Sequence, residues 1–405
     1  MNIEQTWHVI HLSTGHKGGS GLAARRLNSA LNKAGISSSF WAIKHLDYYP
    51  GENEFQITRN QVTRLISRIL SSVQSRLSGK TFFSIWSLNV LSNRRINRMG
   101  KPENTILHFH NWFNLVSQKK MLQLSNQGFN IVLTMHDERF LTGGCHYAFQ
   151  CKGFQASCQR CPELPRILRH IPSNNLNKIS KIVKNVNDRF VLISPSRWLR
   201  DEALSASLTS HLPVVFIPNT LDFKVNENVS INRIQVLKVS PILNIGVASM
   251  SKGFLIKGGD ITSNLQKLIL ERHLPIKMIY LSDFEIDNVL ESEFWTQIDY
   301  LLVPSRADNS PNVIHEAKLL GIPVIASSLD GIAELLTPGY DVPISAAQLN
   351  VDGILDILLK VNPKHDKEIK KIMAHQFNEY VKDSVRSHIS VYEGLVRRQL
   401  GAKTT

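Results

Sequence analysis

No run of eighteen apolar residues occurs in the 405-residue chain, so the sequence offers no membrane-spanning helix. The opening MNIEQTWHVIHLSTG has neither a basic n-region nor a long apolar core and passes at once into a strand pattern, so no secretory leader is expected. Internal repeats and low-complexity tracts are missing. Cysteine is scarce: four in all, every one inside GGCHYAFQCKGFQASCQRC (143–161). The chain is expected to stay in the cytosol, where thiols are kept reduced, which argues against disulfides. Acidic residues are scarce in one half only. Residues 1–225 hold 28 Lys and Arg against 12 Asp and Glu, a net +16, whereas residues 226–405 hold 19 against 21, a net −2. The first half is therefore the candidate to meet something anionic, with nucleic acid and an acidic membrane surface both qualifying.

What is present has the balance of a soluble globular protein, 42% hydrophobic and 20% charged, which excludes a disordered chain. The length calls for two domains of roughly 200 residues each. Short β-branched runs alternate with helical patterns throughout. Strands are predicted at 6–13, 37–45, 105–111, 130–137, 189–196 and 214–219, then at 242–249, 276–282, 299–305 and 323–327. Several are almost continuously apolar, as parallel strands covered on both faces must be. The fold class is therefore α/β, with two doubly wound domains facing each other. The expected division is 1–225, carrying a Cys-rich insertion at 143–164, then 226–385, then a C-terminal helix or tail at 386–405 that packs back on the first domain. The last long helical pattern covers 366–399.

The richest polar segment is PSRADNSPNVIHEAKLLGIPVIAS (304–327). A strand ends at Ser305, and Pro311 suits the first turn of a helix starting near Asn312. Asp308 precedes that helix and Glu316 lies about one turn inside it. Free N–H groups at the helix start suit a phosphate, and the two carboxylates accept hydrogen bonds from sugar hydroxyls. The plainer alternative is that Asp308 caps the helix and Glu316 is solvated. MSKGFLIKGGD (250–260) adds a glycine-bearing loop whose Lys252 and Lys257 can face a diphosphate as point charges.

Together these segments resemble the family-4 glycosyltransferases of the GT-B fold, two Rossmann-like domains across a cleft. The carriers are a Lys-Gly pair after the second domain's first strand, an acid, seven residues, then Glu-Ala and GIPVIAS…GIAELL. The family shows Glu where this chain has Asp308. The resemblance implies that Asp308 contacts donor-sugar hydroxyls, that Glu316 binds the nucleotide ribose and that Lys257 binds phosphate. Ser310 and Asn312 lie at the same helix start. The arginine that the family places before the lysine is missing here, and Lys252 is its candidate substitute. HLSTGHKGGSGLAARRL resembles the family's first strand and glycine-rich turn, in which Gly18, Gly19 and Gly21 let backbone approach a ligand. LTMHD places His136 where a family histidine touches the donor sugar. His108, His110 and Asp137 are expected on the acceptor side.

The resemblance implies a retaining, metal-independent hexosyltransferase with no catalytic cofactor. Its donor would be a nucleotide-diphosphate-sugar, and its acceptor a lipid-linked or growing glycan of bacterial exopolysaccharide or lipopolysaccharide O-antigen assembly. A GT-B nucleotide-sugar epimerase and a nonenzymatic nucleic-acid- or membrane-binding protein are the alternatives. Cys145, Cys151, Cys158 and Cys161 are spaced x5, x6 and x2, and only the last pair has the tight loop usual in tetrahedral zinc sites. A structural zinc clip of all four, with His146 as a spare ligand, stands beside metal-free thiols and disulfides. No basic recognition helix with interleaved aromatics adjoins the cluster, so nucleic acid is not expected as a partner. VTRLISRILSSVQSRL (62–77) sets Val62, Leu65, Ile66, Ile69, Leu70, Val73 and Leu77 on one helical stripe, with Arg64, Arg68 and Arg76 off it. That pattern suits either a helix on anionic lipid or an ordinary surface helix. Peripheral attachment to the inner face of the plasma membrane is the expected localisation.

Overall fold

The computed structural model describes residues 7–45, 48–77, 83–84, 87–184, 186, 188–221, 241–248, 255–284, 292–362 and 367–401. The chain divides into one unit of Met1–Thr220 with Ser384–Thr405 and a second of Leu221–Asp383. Among the described residues no helix is long and apolar enough to cross a membrane.

The first unit is built on seven parallel strands: β1 His8–Ser13, β2 Ser38–Ile43, β3 Glu54–Ile57, β4 Thr105–Phe109, β5 Asn130–Thr134, β6 Phe190–Ser194 and β7 Val214–Phe216. They lie in the order β3-β2-β1-β4-β5-β6-β7, so the winding reverses between β1 and β4. Helices α1 (Gly18–Lys33), α2 (Gln61–Leu77), α3 (Asn93–Met99), α4 (Gln118–Asn126), α5 (Ile171–Val183) and α6 (Arg197–Ser205) connect them. β4, β5 and β6 are buried along their whole length because apolar layers cover both faces. Ile10, Leu107, Ile131 and Leu192 join one layer with Met121 and Leu176 of α4 and α5. Val9, Ile106, Val132 and Val191 join the other with Leu27 and Leu31 of α1 and with Tyr392 and Leu395. The strand period of two thus assigns neighbouring side chains to opposite cores.

The second unit has five parallel strands, β8 Leu243–Val247, β9 Ile276–Tyr280, β10 Tyr300–Val303, β11 Val324–Ser327 and β12 Val342–Ile344. Their order is β12-β11-β10-β8-β9, with the reversal between β8 and β10. Its helices are α7 (Gly259–Glu271), α8 (Asn312–Leu319), α9 (Val351–Leu358) and α10 (Lys367–Lys382). A buried ion pair of Lys318 and Asp341 anchors α8, and Asp341 also accepts the Val324 N–H at 2.9 Å.

Among the described residues, ten of the twelve strands coincide with the runs read from the sequence. The two unexpected strands, β3 and β12, are edge strands of three or four residues, too short to show a period. The single helical pattern over 366–399 is corrected: it forms two helices, α10 and then α11 (Ser384–Gly401), and the unit boundary falls between them. Ser384 marks the break, its hydroxyl donating to the Pro218 carbonyl at 2.7 Å and lying 2.8 Å from Thr220 Oγ1.

Candidate functional site

Ligands of doubly wound sheets bind at the carboxyl ends of the strands where the order reverses. In the second unit the loops leaving β8 and β10 occupy that point, and they carry Lys257 and Asp308. The structure brings these two together as an ion pair, Lys257 Nζ to Asp308 Oδ2. Gly258 makes the approach possible. Its φ of 73° is left-handed, and a Cβ there would stand 2.3 Å from the Pro304 carbonyl oxygen, so no other residue fits. α8 starts at Asn312 after Pro311, which supplies no side-chain cap. Asp308 therefore does not cap the helix; it is held by the lysine. Glu316 is 3% exposed, so the solvated alternative is also corrected. Ser310 Oγ lies 2.7 Å from His315 Nε2, and His315 packs edge-on against Phe377. Ser310, Asn312, Asp308 and Lys257 thus share one strand-end neighbourhood. Lys252 lies outside the described residues.

Sequence reasoning missed Arg306. Its guanidinium makes a bidentate pair with Asp260 at 2.7 and 2.8 Å and donates to the Leu255 carbonyl, while its backbone N–H meets Ile256 O at 2.7 Å. It therefore stitches the loop of Lys257 to the loop of Asp308. The hydrogen bonds from Arg306 hold the Asp260 carboxyl below its usual range. The only signal was an arginine two residues before an acid, which periodicity does not distinguish from a solvated cation.

In the first unit the reversal point lies between β1 and β4, whose register sets His11 beside His108. Gly18 and Gly19 open α1 just after β1. Gly18 has φ 75°, and a Cβ on either glycine would meet nothing within 4 Å, leaving the backbone accessible. His11 Nδ1 lies 3.1 Å from His110 Nε2, and His110 Nδ1 lies 3.2 Å from His136 Nε2. These three rings form a chain from the core to the half-buried end of β5. His108 is fully buried, with Nδ1 at 2.8 Å from the Tyr392 hydroxyl and Nε2 at 2.8 Å from Thr134 Oγ1. The structure so places His108 inside, where it supports its neighbours. Burial, and next the charges of neighbouring histidines, push His11, His108 and His110 well below 6.5. Burial likewise brings His136 to about 4, against a partial lift from Asp137. The chain is therefore neutral near pH 7. His11 was missed because a histidine in a strand pattern looks like any buried polar residue; only the register reveals its partner.

Burial would raise the Asp137 carboxyl, but Arg139, at 2.8 Å, holds it below the carboxylate range. Arg139 lies over Trp112 and Phe113 and donates to Asn111 Oδ1 at 3.2 Å. Asp137 is thus a fixed anion beside His136, and Arg139 is a second residue that the sequence reading passed over.

The four cysteines are free and share the loop after Asp137. The Cys161 thiol is lowered to about 7, first by a hydrogen bond with Cys145, while burial pushes Cys158 up to about 11. His146 is occupied: Nε2 lies 2.8 Å from Ser84 Oγ and Nδ1 is 3.7 Å from Asp137. The spare-ligand role expected of it is not what this arrangement offers. On α2, Val62 (65% exposed), Leu65 (60%), Ile66, Ile69 and Val73 all face solvent along one stripe. The Leu77 side chain lies outside the described set.

Residues 250–361 match the family described as glycosyl transferases group 1. The putative colanic acid biosynthesis glycosyl transferase WcaC of Escherichia coli (strain K12) is 27% identical over 274 residues, covering 60% of this chain and 64% of WcaC, less than two thirds of its length. Among solved structures, sucrose-phosphate synthase from Thermosynechococcus elongatus superposes with a TM-score of 0.57 at 16% identity, over 98% of this chain and 100% of that one. The catalytic domain of starch synthase IV from Arabidopsis thaliana, bound to ADP and acarbose, gives 0.55 at 13%, over 98% and 99%. A glycosyltransferase from Rickettsia africae gives 0.55 at 11%, over 96% and 99%. These likenesses identify the fold as GT-B.

Proposed function

We propose, from the GT-B fold and the group 1 glycosyl transferase match over residues 250–361, that this protein transfers a hexose-type sugar from a nucleotide-diphosphate-sugar to a lipid-linked or growing glycan. The carrying observation is the Lys257–Asp308 pair beside the start of α8. The pyrophosphate takes the ammonium and the N–H end of α8, displacing Asp308 toward the sugar hydroxyls. As the bond from sugar to phosphate breaks, charge grows on the leaving oxygen beside Lys257. That oxygen takes the acceptor's proton on the same face, so configuration is retained. His136, neutral and beside the anionic Asp137, takes the role that the family resemblance gives it, contact with the donor sugar. Bacterial surface polysaccharide is the favoured product class, in keeping with the likeness to WcaC, a putative colanic acid biosynthesis glycosyl transferase.

The exposed apolar stripe of α2, with Arg64 and Arg68 exposed beside it, supports a place at an anionic membrane surface, where a lipid-linked acceptor resides. Two measurements test these readings. A panel of nucleotide sugars should raise the melting temperature of wild type for one donor, and Lys257→Ala should abolish that shift. No stabilisation by any member of the panel would remove the donor site. Leu65→Glu/Ile69→Glu should release the protein from acidic vesicles at unchanged melting temperature. Equal binding of wild type to acidic and neutral vesicles at low salt would remove the membrane reading.

A further inference from the structure

We propose that His11, His110 and His136 form a one-way chain of hydrogen bonds that keeps the proton of His136 on Nδ1, so that His136 meets its ligand as an N–H donor. The sheet builds the chain. β1 and β4 pair in register with His11 opposite His108, and the His110 N–H donates to the Leu12 carbonyl at 3.0 Å. That pairing sets His11 Nδ1 at 3.1 Å from His110 Nε2, and His110 Nδ1 reaches His136 Nε2 at 3.2 Å just beyond β5. Each N···N contact has the length of a hydrogen bond and so holds one proton between two nitrogens. His108 is not a link, because Tyr392 and Thr134 occupy both of its nitrogens.

Counting protons leaves two arrangements. Three neutral rings share six nitrogens and carry one N–H each. Two of those protons lie inside the two bonds, and the third sits at an end of the chain, on His11 Nε2 or on His136 Nδ1. With the proton on His11 Nε2, both bonds run from His136 toward His11. With the proton on His136 Nδ1, both run the other way: His11 Nδ1–H donates to His110, and His110 Nδ1–H donates to His136. No mixed arrangement keeps every ring neutral and both bonds made. Neutrality follows from place, since His11 and His110 are buried in the sheet, where a charged imidazolium would lose its hydration.

The two ends are unlike. His11 is fully buried, and its Nε2 has no hydrogen-bond partner among the described residues. A proton there would be a buried N–H without an acceptor, a rarer defect in folded proteins than an acceptor left without a donor. His136 is half-buried, and no hydrogen bond to its Nδ1 occurs among the described residues, so a proton there is left for a ligand. Of the two side-chain charges acting on His136, Asp137 outweighs Arg139, and an anion favours the proton at that end. The chain therefore points from the core to the strand end. His11 thereby determines specificity without touching the ligand. A ligand group that offered His136 a proton would have to reverse both bonds and strand an N–H on His11. The matching ligand atom is an acceptor oxygen, whether of a sugar hydroxyl, a ring ether or a phosphate. That it belongs to a donor sugar rests on the proposed transfer; the position of the proton does not.

Nitrogen-15 spectra of the full chain with labelled histidine, at pH 7.5 and without ligand, test this, because bare and protonated ring nitrogens resonate far apart. The signals of His136 and His11 are identified by their loss in His136→Gln and His11→Asn. Wild type should show both rings protonated on Nδ1 and bare on Nε2, against the Nε2–H form that a free histidine side chain favours. Either ring protonated on Nε2, on both nitrogens, or averaged between the two would overturn the proposal. His110→Ala removes the donor to His136 Nε2 and should shift His136 to the Nε2–H form. His110→Asn, whose amide N–H stands where Nδ1–H stood, should hold the wild-type pattern. His136 unchanged in a folded His110→Ala, or shifted in a folded His110→Asn, overturns the proposal as well. Should those variants fail to fold, the wild-type pattern still decides. No sugar is present in the sample, so failure of the transferase reading leaves this result standing, and failure of the chain leaves the Lys257 site untouched.

Discussion

The seven-stranded and five-stranded units place polar residues at the same topological point and fill it with opposite chemistry. In the first, histidines turn inward, bond to one another and stay neutral. In the second, a lysine and an aspartate face each other as charges beside a helix start. The overall charge runs the other way, with +16 in residues 1–225, which hold the histidine chain, and −2 in residues 226–405, which hold the Lys257–Asp308 pair. Net charge therefore says little about where a charged ligand sits. Part of the basic surplus lies on the surface, where Arg64 and Arg68 flank the exposed stripe of α2, and the Lys257–Asp308 pair belongs to the nearly neutral half.

The sharpest way to break this comparison is acid. His136 and His388 fall to about 4 on burial, and His8, His11, His108 and His110 are lowered too. All six lie in the first unit. A histidine with a depressed folded value is neutral when folded and takes a proton when unfolded. Stability is therefore whole above pH 6.5 and is lost as pH falls from 6.5 toward 4, by about 3 kcal/mol for a single histidine shifted that far. Urea unfolding at pH 7.5 and 5.0 should show a large drop in midpoint with uptake of several protons. An equal midpoint at both values would contradict the neutral array.

Next in size is Lys257→Ala. Loss of one preorganised cation at a leaving group costs about 100- to 1000-fold in turnover. The lysine is only partly buried and its loop is held by Arg306, so the melting temperature should barely move. Steady-state kinetics with the identified donor checks this; turnover within threefold of wild type would detach the pair from the chemistry. Smaller is His110→Ala, which leaves His136 Nε2 without its ring partner. About a tenfold loss in kcat at unchanged donor KM is expected, with partial recovery in His110→Asn. His110 acts by positioning His136, so a change in donor KM alone would contradict it.

How much of this was legible beforehand depends on range. Buried parallel strands declare themselves as apolar runs, and Lys257, Asp308 and Glu316 stood out because strand ends followed by glycine or proline mark ligand loops. β12 escaped because Pro343 interrupts an already short run, which an edge strand tolerates. The break at Asp383 escaped because the helical pattern continues through it; only contacts of Ser384 with Pro218 and Thr220 stop the helix there. His11 and Arg306 escaped for the same reason. Each matters through a partner tens of residues away, and no local period encodes that.

Arg306 gives the finest test. Sequence comparison with the resembling family leaves a missing arginine before Lys257, and Lys252 was the candidate to replace it. Arg306 comes to the same loop from β10 instead, joining Asp260 and the Leu255 carbonyl. It reaches Lys257 only by way of the backbone, so its removal loosens the lysine without abolishing its charge. Arg306→Lys keeps the cation but loses the bidentate fork, because an ammonium cannot pair with both oxygens of Asp260 in one plane. A rise of about threefold in donor KM with kcat nearly intact is expected, and Asp260→Asn should reproduce it. If Arg306→Lys instead matched Lys257→Ala in lost turnover, Arg306 itself would touch the donor, and the cation of this site would be a pair rather than one lysine.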